Sequence, residues 1–340
     1  MSLVRVIALA CVNAALLAAS DSDIDVAVRG VLTRYLQLTT SDLADLQAGK
    51  VVKRGLDSTA AGEVGVVGAV RINAPKAKFL TRVRDIVRFK SGPDVVQIGR
   101  FSRPPTLDDL AALTVEAADF DRRECRVGNC GVRLPAAVIQ RVEREIDPGA
   151  PDVQQRAAVL FKQVLLDDVT AYVNGSPGRF EQYDDGARPI RPLDEFEGVL
   201  RSSPALDALV PGLSDHLKTF PTGRLPDADD FLYWSKERVS MSAAFITVTH
   251  VTIVCPSAAT CVMTTKDVYS SRYLDASLAI SVATDSLETP SAFYLVYGNR
   301  SRANALKGGF SSLKRAIVER RARGNIEQYL RTLKAQMEKE

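Results

Sequence analysis

Five consecutive β-like runs lie between about Asp230 and Arg300, and they constrain the fold more than any other part of the chain. Apolar or small residues recur in these runs with a period of two, as at Leu278, Ile280 and Val282. This period is that of an extended strand. Because both alternating faces are often apolar or small, we expect strands that are covered on both sides, or that face a helix on one side and a cavity on the other.

One long amphipathic helix is predicted to follow these strands. A Gly308-Gly309 step opens it, and a helix from Gly309 to Glu338 would be about 45 Å long. Its apolar stripe consists of Phe310, Leu313, Ile317, Ile326, Leu330, Leu333 and Met337. A curved antiparallel sheet that grips a C-terminal helix has the shape of a container. The pattern therefore predicts an α+β protein that holds something.

The middle of the chain has a helical period. Strand-like segments flank this part on both sides, at Asp94–Phe101 and again from Asp230. Residues 135–228 are therefore predicted to be a mostly helical insertion into a mixed sheet, and residues 21–340 to be a single domain.

The first twenty residues have the features of a secretory signal peptide. Arg5 supplies the positive charge, Val6–Ala19 supplies the apolar run, and Ala18-Ala19-Ser20 supplies small residues at a cleavage site. We expect cleavage near Ser20 and a secreted or periplasmic protein. An uncleaved membrane anchor and a lipid-modified Cys11 remain open as alternatives.

Charge and cysteine content argue against nucleic-acid binding and against a metal or cofactor site. The whole chain has a formal charge of +3, from 44 basic and 41 acidic residues, and offers no broad attraction for nucleic acid. After removal of the leader, local pairings Cys125–Cys130 and Cys255–Cys261 are favoured, with free thiols and a cross-pairing left open. The spacings do not match common zinc motifs, so we expect neither a metal nor a cofactor.

The order of these elements resembles the helix-grip architecture of START-like (SRPBCC) proteins. Several segments also resemble an uncharacterised family of secreted bacterial proteins: Cys125-Arg-Val-Gly-Asn-Cys130-Gly-Val-Arg-Leu-Pro135, Phe231-Leu-Tyr-Trp-Ser-Lys-Glu237, Thr249-His250-Val251, Tyr273-Leu-Asp-Ala-Ser-Leu278 and Tyr294-Leu-Val-Tyr-Gly-Asn-Arg-Ser301. The START-like resemblance implies a sheet wrapped around the last helix, with a hydrophobic cavity between them. Neither resemblance implies a known activity.

The chain has two histidines, and His250 is the stronger candidate for a site. It lies within a predicted strand, where it either orients a ligand or moves a proton inside a pocket, or is a core residue satisfied by a neighbour. His216 lies in the proline-rich helical part and is expected to be structural. G-x-S-x-G and H-E-x-x-H motifs are absent from the sequence, which favours a non-catalytic protein but leaves an enzyme open.

Two further groups are candidates for ligand contacts. Arg300 and Arg302 precede the amide-rich start of the last helix, where they either grip an anion such as a lipid headgroup or pair with acidic residues. Aromatic side chains either line a cavity or fill a core; those chosen as ligand contacts are Tyr233, Trp234, Tyr273 and Tyr294.

Three functions follow from these candidates. The leading hypothesis is non-catalytic binding or carriage of a hydrophobic or amphipathic small molecule, lipid-like in character. The second is an enzyme that uses the same cavity, with His250 as acid or base and Arg300 holding an anion. The third is a cell-envelope interaction module that docks a protein through residues 135–228. Transient contact with a membrane surface stays open for all three.

Overall fold

Eight strands form one antiparallel sheet in the described part of the chain, in the order β1-β2-β8-β7-β6-β5-β4-β3. The computed structural model describes residues 23–58, 60–176, 181–238, 243–308 and 311–339. The strands are β1 (Val52–Leu56), β2 (Glu63–Ile72), β3 (Val95–Arg100), β4 (Asp229–Glu237), β5 (Phe245–Val254), β6 (Thr260–Ser270), β7 (Ala276–Asp285) and β8 (Phe293–Arg302). The α+β class and the antiparallel sheet followed by a C-terminal helix are therefore confirmed.

Ten α-helices are described. They are α1 (Val26–Arg34), α2 (Thr40–Gln47), α3 (Lys76–Arg84), α4 (Ile86–Lys90), α5 (Ala136–Glu145), α6 (Val153–Val173), α7 (Pro192–Arg201), α8 (Ala205–Leu209), α9 (Leu213–Thr219) and α10 (Ser311–Glu338). Helices α5 to α9 all lie between β3 and β4 in the chain. Within the described residues, no helix combines the length and the apolar character needed to cross a bilayer.

The strand register defines two faces of the sheet. Leu232, His250, Lys266, Leu278 and Arg300 are paired in turn across β4 to β8. Directly paired residues of antiparallel strands point to the same side, so these five side chains lie in one row. We call this side the His250 face.

Helices cover the His250 face along its whole width. Helices α5 and α6 bury one apolar cluster against Trp234, Ile246 and Val248. Helices α1, α7, α8 and α9 contribute to a second cluster, which packs on Leu278 and Val282. The apolar alternation of the strands therefore reflects a sheet that is buried on both sides.

The opposite side, which we call the Tyr233 face, packs against α3, α4 and α10. Gly68 of β2 lets α10 approach closely, because a Cβ atom there would overlap the side chains of Ile326 and Leu330. The predicted apolar stripe of the helix is only half buried. Its last four members are buried, whereas Leu313 and Ile317 are exposed and Phe310 lies outside the described residues.

Both local disulfides are present, at Cys125–Cys130 and Cys255–Cys261. They are compatible with an oxidising extracellular or periplasmic compartment. A short 3₁₀ turn precedes Cys125, and the first cysteine loop contains one isolated bridge, Arg126 to Asn129. The predicted leader lies outside the described residues.

Candidate functional site

The two histidines of the chain meet at one carboxylate. His250 lies in the middle of β5, and Asp230 lies near the start of β4, two residues before the partner of His250 in the ladder. The period of two places Asp230 on the His250 face as well. His216 reaches the same point from α9, which packs its apolar residues Leu213 and Leu217 against this face.

Three hydrogen bonds converge on a single oxygen, Asp230 Oδ1. His250 Nε2 lies 2.9 Å from it, His216 Nε2 lies 3.0 Å from it, and the Thr252 hydroxyl donates to it at 2.7 Å. The rings of both histidines are buried, and 13% of the Asp230 side chain remains accessible. The Phe220 ring covers the cluster, with its centroid 4.3 Å from that of His250.

The second nitrogen of each ring also has a partner. His216 Nδ1 lies 2.6 Å from the carbonyl oxygen of Gly223, and His250 Nδ1 lies 2.9 Å from the hydroxyl of Tyr172. A carbonyl only accepts hydrogen bonds, so His216 Nδ1 carries a proton. Because the Tyr172 hydroxyl can donate or accept, His250 is satisfied as a neutral ring.

These contacts set the protonation of the cluster. Burial by itself raises the pKa of Asp230, but hydrogen bonds from both histidines and Thr252 hold that pKa well below its usual range. Burial lowers the pKa of His250. Burial also acts to lower the pKa of His216, but the hydrogen bond and negative charge of Asp230, together with the bond to the Gly223 carbonyl, outweigh burial and raise this pKa. The cluster is thus an ionised carboxylate beside a histidine that favours the charged form.

Lys266 stands next to this cluster on β6. Its ammonium nitrogen donates to the Leu217 carbonyl at 2.8 Å and lies 3.5 Å from the Tyr172 hydroxyl. It also lies over the Phe196 ring, 4.5 Å from the centroid. Burial lowers the pKa of Lys266 to about 7. At neutral pH this side chain therefore exchanges readily between its charged and neutral forms.

A cavity of about 400 Å³ opens beside Lys266 and Tyr172. It lies between β6 and the start of β7 on one side and helices α6, α7 and α9 on the other. About half of its lining residues are aromatic or aliphatic, among them Leu193, Phe196, Phe220 and Tyr269. The others are mostly polar or charged, and include the carboxylates of Asp168, Glu181 and Asp275. The size is at the lower end of ordinary ligand pockets, which span about 300 to 1,000 Å³.

The predicted ligand contacts are not gathered around this cavity. Trp234 is buried in the apolar cluster under α5 and α6, and its indole nitrogen donates to the Asp109 carbonyl at 2.7 Å. Tyr294 is buried and donates to Asp23. Tyr273 is exposed and packs on Phe245.

The two predicted arginines are held by acidic side chains. Arg300 lies on the His250 face, but its guanidinium forms a 2.9 Å ion pair with the buried carboxylate of Glu63. Arg302 and Lys307 both pair with Glu195, at 3.1 and 2.9 Å. Arg300 is not part of the lining of the cavity beside Lys266. Gly309, at the predicted start of the helix, lies outside the described residues.

Tyr233 lies on the other face, in a second polar region. Lys90 of α4 forms a 3.0 Å ion pair with Glu237, and its ammonium group lies over the Tyr233 ring. On β6, Asp267 points to this face, next to Lys266 in sequence but on the other side of the sheet. Asp267 accepts a hydrogen bond from Thr249 at 3.0 Å, and burial raises its pKa to about 7.

The sequence did not identify Asp230, His216 or Lys266 as site residues. A signal existed for Lys266, because Lys266 and the adjacent Asp267 are the two charged residues of an otherwise apolar or hydroxyl-bearing strand. Parity along β4 also places Asp230 on the face of Leu232 and Trp234. No sequence signal connects His216 to either residue, because that contact depends on how α9 packs on the sheet.

Comparison with known protein families, curated proteins and solved structures finds no match to this chain.

Proposed function

We propose that the protein binds a small amphipathic molecule, without chemical conversion, in the cavity beside Lys266. The observation that carries this proposal is the cavity itself, with about 400 Å³ of space, apolar and aromatic side chains over much of its wall, and a buried lysine at its edge. Apolar walls with a few convergent polar groups are the usual composition of a small-molecule site.

Lys266 and Tyr172 are the polar groups expected to contact the headgroup of such a molecule. An ammonium group has three donor positions, and the Leu217 carbonyl takes one of those of Lys266 at 2.8 Å. The Tyr172 hydroxyl lies beside it. A carboxylate or phosphate headgroup would accept a charge-assisted bond from Lys266, while an apolar tail would lie against Phe196, Phe220 and Leu193.

A START-like helix-grip fold is part of the same proposal. Support comes from the strand order, in which β2 pairs with β8 and the strands from β8 to β3 follow in reverse chain order before α10 completes the chain. Residues 135–228 would then be an insertion between β3 and β4. The cavity lies on the His250 face, however, and not on the Tyr233 face that packs against α10.

We also propose that the chain is exported before it folds and that the leader is removed near Ser20. The two disulfides support it, because such bonds persist in oxidising compartments. N-terminal sequencing of the protein recovered from the periplasm or medium of an expressing bacterium tests it. A mature chain that begins at Asp21 is expected, and a chain that keeps residues 1–20 in the cytosol would contradict it.

Dodecanoate is a suitable probe for the binding site, with dodecanol as the uncharged comparison. We expect one dodecanoate per chain by native mass spectrometry and calorimetry. In the Lys266→Met variant, loss of one charge-assisted hydrogen bond of about 1.5 to 3 kcal/mol should weaken dodecanoate binding by about 10- to 100-fold. Dodecanol binding should change much less.

Two tryptophan substitutions locate the site. Leu193 lies on the rim of the cavity and 51% of its surface is exposed, so Leu193→Trp should obstruct entry without loss of stability. Val159 on α6 is 60% exposed and is not part of the lining, so Val159→Trp is the matched control. If dodecanoate binds the two variants equally and also binds Lys266→Met unchanged, the cavity is not the binding site.

Acid–base catalysis in the same cavity is a second candidate. It is favoured by one observation: Tyr172 lines the cavity and is hydrogen bonded to His250, which is in turn bonded to Asp230. This chain of contacts provides a path for a proton. Lys266, rather than Arg300, is the cation beside it.

The interaction-module hypothesis has less support. Among the described residues of 135–228, the large apolar side chains with high exposure are Val159 and Leu193, and Leu193 belongs to the cavity rim. Two separated side chains do not form an extended apolar patch.

A further inference from the structure

We propose that His216, Asp230 and His250 form a binding site for one divalent transition-metal ion, of the kind that Zn²⁺, Co²⁺ or Fe²⁺ would occupy. This inference goes beyond small-molecule binding and does not depend on it. It also departs from the expectation based on cysteine and histidine spacing, because the ligands come from a helix and two strands that are separated in the chain.

The three potential ligand atoms are already close to the arrangement that a metal requires. His216 Nε2, His250 Nε2 and Asp230 Oδ1 all lie within 4.8 Å of one another, and each nitrogen is 2.9 or 3.0 Å from the oxygen. Ligands about 2.1 Å from a metal are about 3.0 Å apart at right angles and about 3.4 Å apart in a tetrahedron. Both nitrogen–oxygen separations are therefore those of neighbouring ligands on a single ion.

The outer contacts hold both rings in orientations suited to coordination. His216 Nδ1 donates to the Gly223 carbonyl, which leaves Nε2 as the nitrogen directed at the cluster. The Tyr172 hydroxyl occupies Nδ1 of His250 in the same way, and it can accept when Nδ1 carries the proton. Metal-binding histidines are commonly fixed by such a bond at the second nitrogen.

The ligand set selects the class of ion. Two imidazole nitrogens with one carboxylate oxygen suit zinc and the later divalent transition metals, whereas Mg²⁺ and Ca²⁺ prefer all-oxygen sites. Three protein ligands leave at least one coordination position for water or another small ligand. The Phe220 ring covers the rings of both histidines, which limits competition from bulk water.

The binding test uses the mature, untagged chain after removal of metals with a chelator. We expect one Zn²⁺ per chain by calorimetry, and one Co²⁺ whose visible absorption bands disappear when Zn²⁺ is added. Asp230→Asn and His216→Gln should each weaken Zn²⁺ binding by at least about 100-fold, since even partners of ligands are worth about 10- to 100-fold. Asp229→Asn is the matched control, because Asp229 is the adjacent, exposed carboxylate that pairs with Arg84.

The outcomes separate this site from adventitious binding. Zinc bound equally well by Asp230→Asn, His216→Gln and wild type would overturn the proposal, as would absence of stoichiometric binding by the folded wild type. X-ray absorption at the zinc edge of the wild type needs no variant. A signal for two imidazole ligands supports the site, and a signal with no imidazole overturns it. Dodecanoate binding by the metal-free protein is measured separately, so failure of either proposal is recognisable on its own.

Discussion

Lys266→Met removes the buried cation at the edge of the cavity, and its effect on stability should depend on pH. The folded chain holds the pKa of Lys266 at about 7, against 10.5 for an unhindered lysine. Between these two values the unfolded chain binds a proton that the native chain does not. The wild type is therefore destabilised increasingly as pH falls from 10.5 towards 7, and the penalty stays constant below pH 7.

The magnitude follows from the two pKa values. Each pH unit in the window between them changes the free energy of unfolding by about 1.4 kcal/mol, which amounts to about 5 kcal/mol over the whole window. Lys266→Met removes this penalty and so gains stability, but it also loses the bond from Lys266 to the Leu217 carbonyl, which reduces the gain by about 1 kcal/mol at every pH. We expect the stability advantage of Lys266→Met over the wild type to shrink by about 1.4 kcal/mol per pH unit from pH 7 to pH 9.

Urea unfolding of the two proteins at pH 6, 7, 8 and 9 measures this advantage. All other titrating groups are common to both proteins, so their contributions largely cancel in the difference. Lys218→Met is the matched control, because Lys218 lies on the rim of the same cavity with 44% of its side chain exposed. Its difference from the wild type should stay within about 0.5 kcal/mol. A difference for Lys266→Met that does not vary from pH 7 to pH 9 would refute the reasoning.

Three other perturbations test other parts of the structure. Asp267 should make stability depend on pH in the opposite direction to Lys266, because burial raises its pKa from 3.8 to about 7. The wild type should therefore lose at most about 4 kcal/mol of stability as pH rises from about 4 to 7. Urea unfolding of Asp267→Asn should show a flatter pH profile. Leu330 is buried and faces Gly68, so Leu330→Ala should lower the free energy of unfolding in urea by about 2 to 5 kcal/mol. Leu313 is 60% exposed on the same helix, so Leu313→Ala should change that free energy by no more than about 0.5 kcal/mol. Equal losses in the two variants would contradict the packing of α10 on β2. Replacement of both Cys125 and Cys130 by serine should lower the free energy of unfolding by about 2 kcal/mol, as closure of so short a loop predicts, and an unchanged midpoint in denaturant would show that the bond does not stabilise the fold.

Much of the fold could be predicted because its elements have strong local periods. The five β-like runs predicted between about Asp230 and Arg300 correspond to strands β4 to β8. The alternation reports which side of a strand is buried, and here both sides are. In α10, by contrast, the predicted apolar stripe is buried only in the second half of the helix. A helical period identifies an apolar stripe, but it does not show over what length of the helix another element covers that stripe. Leu313 belongs to the stripe and is nevertheless exposed.

The candidate ligand contacts were harder to predict because residue type does not distinguish a cavity wall from a core or an ion pair. The guanidinium of Arg300 could hold an anionic ligand, but it already forms an ion pair with Glu63. Trp234 has the aromatic surface of a ligand contact, but α5 and α6 cover it. In both cases the decisive partner is distant in sequence.

By itself, the sequence determined the alternating strands, the terminal helix and the two short disulfide loops, because each of these depends on residues that are close together in the chain. Only the tertiary structure decided which face of the sheet holds the cavity and that His216 meets His250 at Asp230. Those contacts depend on where α9 packs against β4 and β5, and packing position is the sum of many weak apolar contacts that no single motif encodes. The same packing places Lys266 in an apolar environment, where a common surface residue acquires a pKa of about 7.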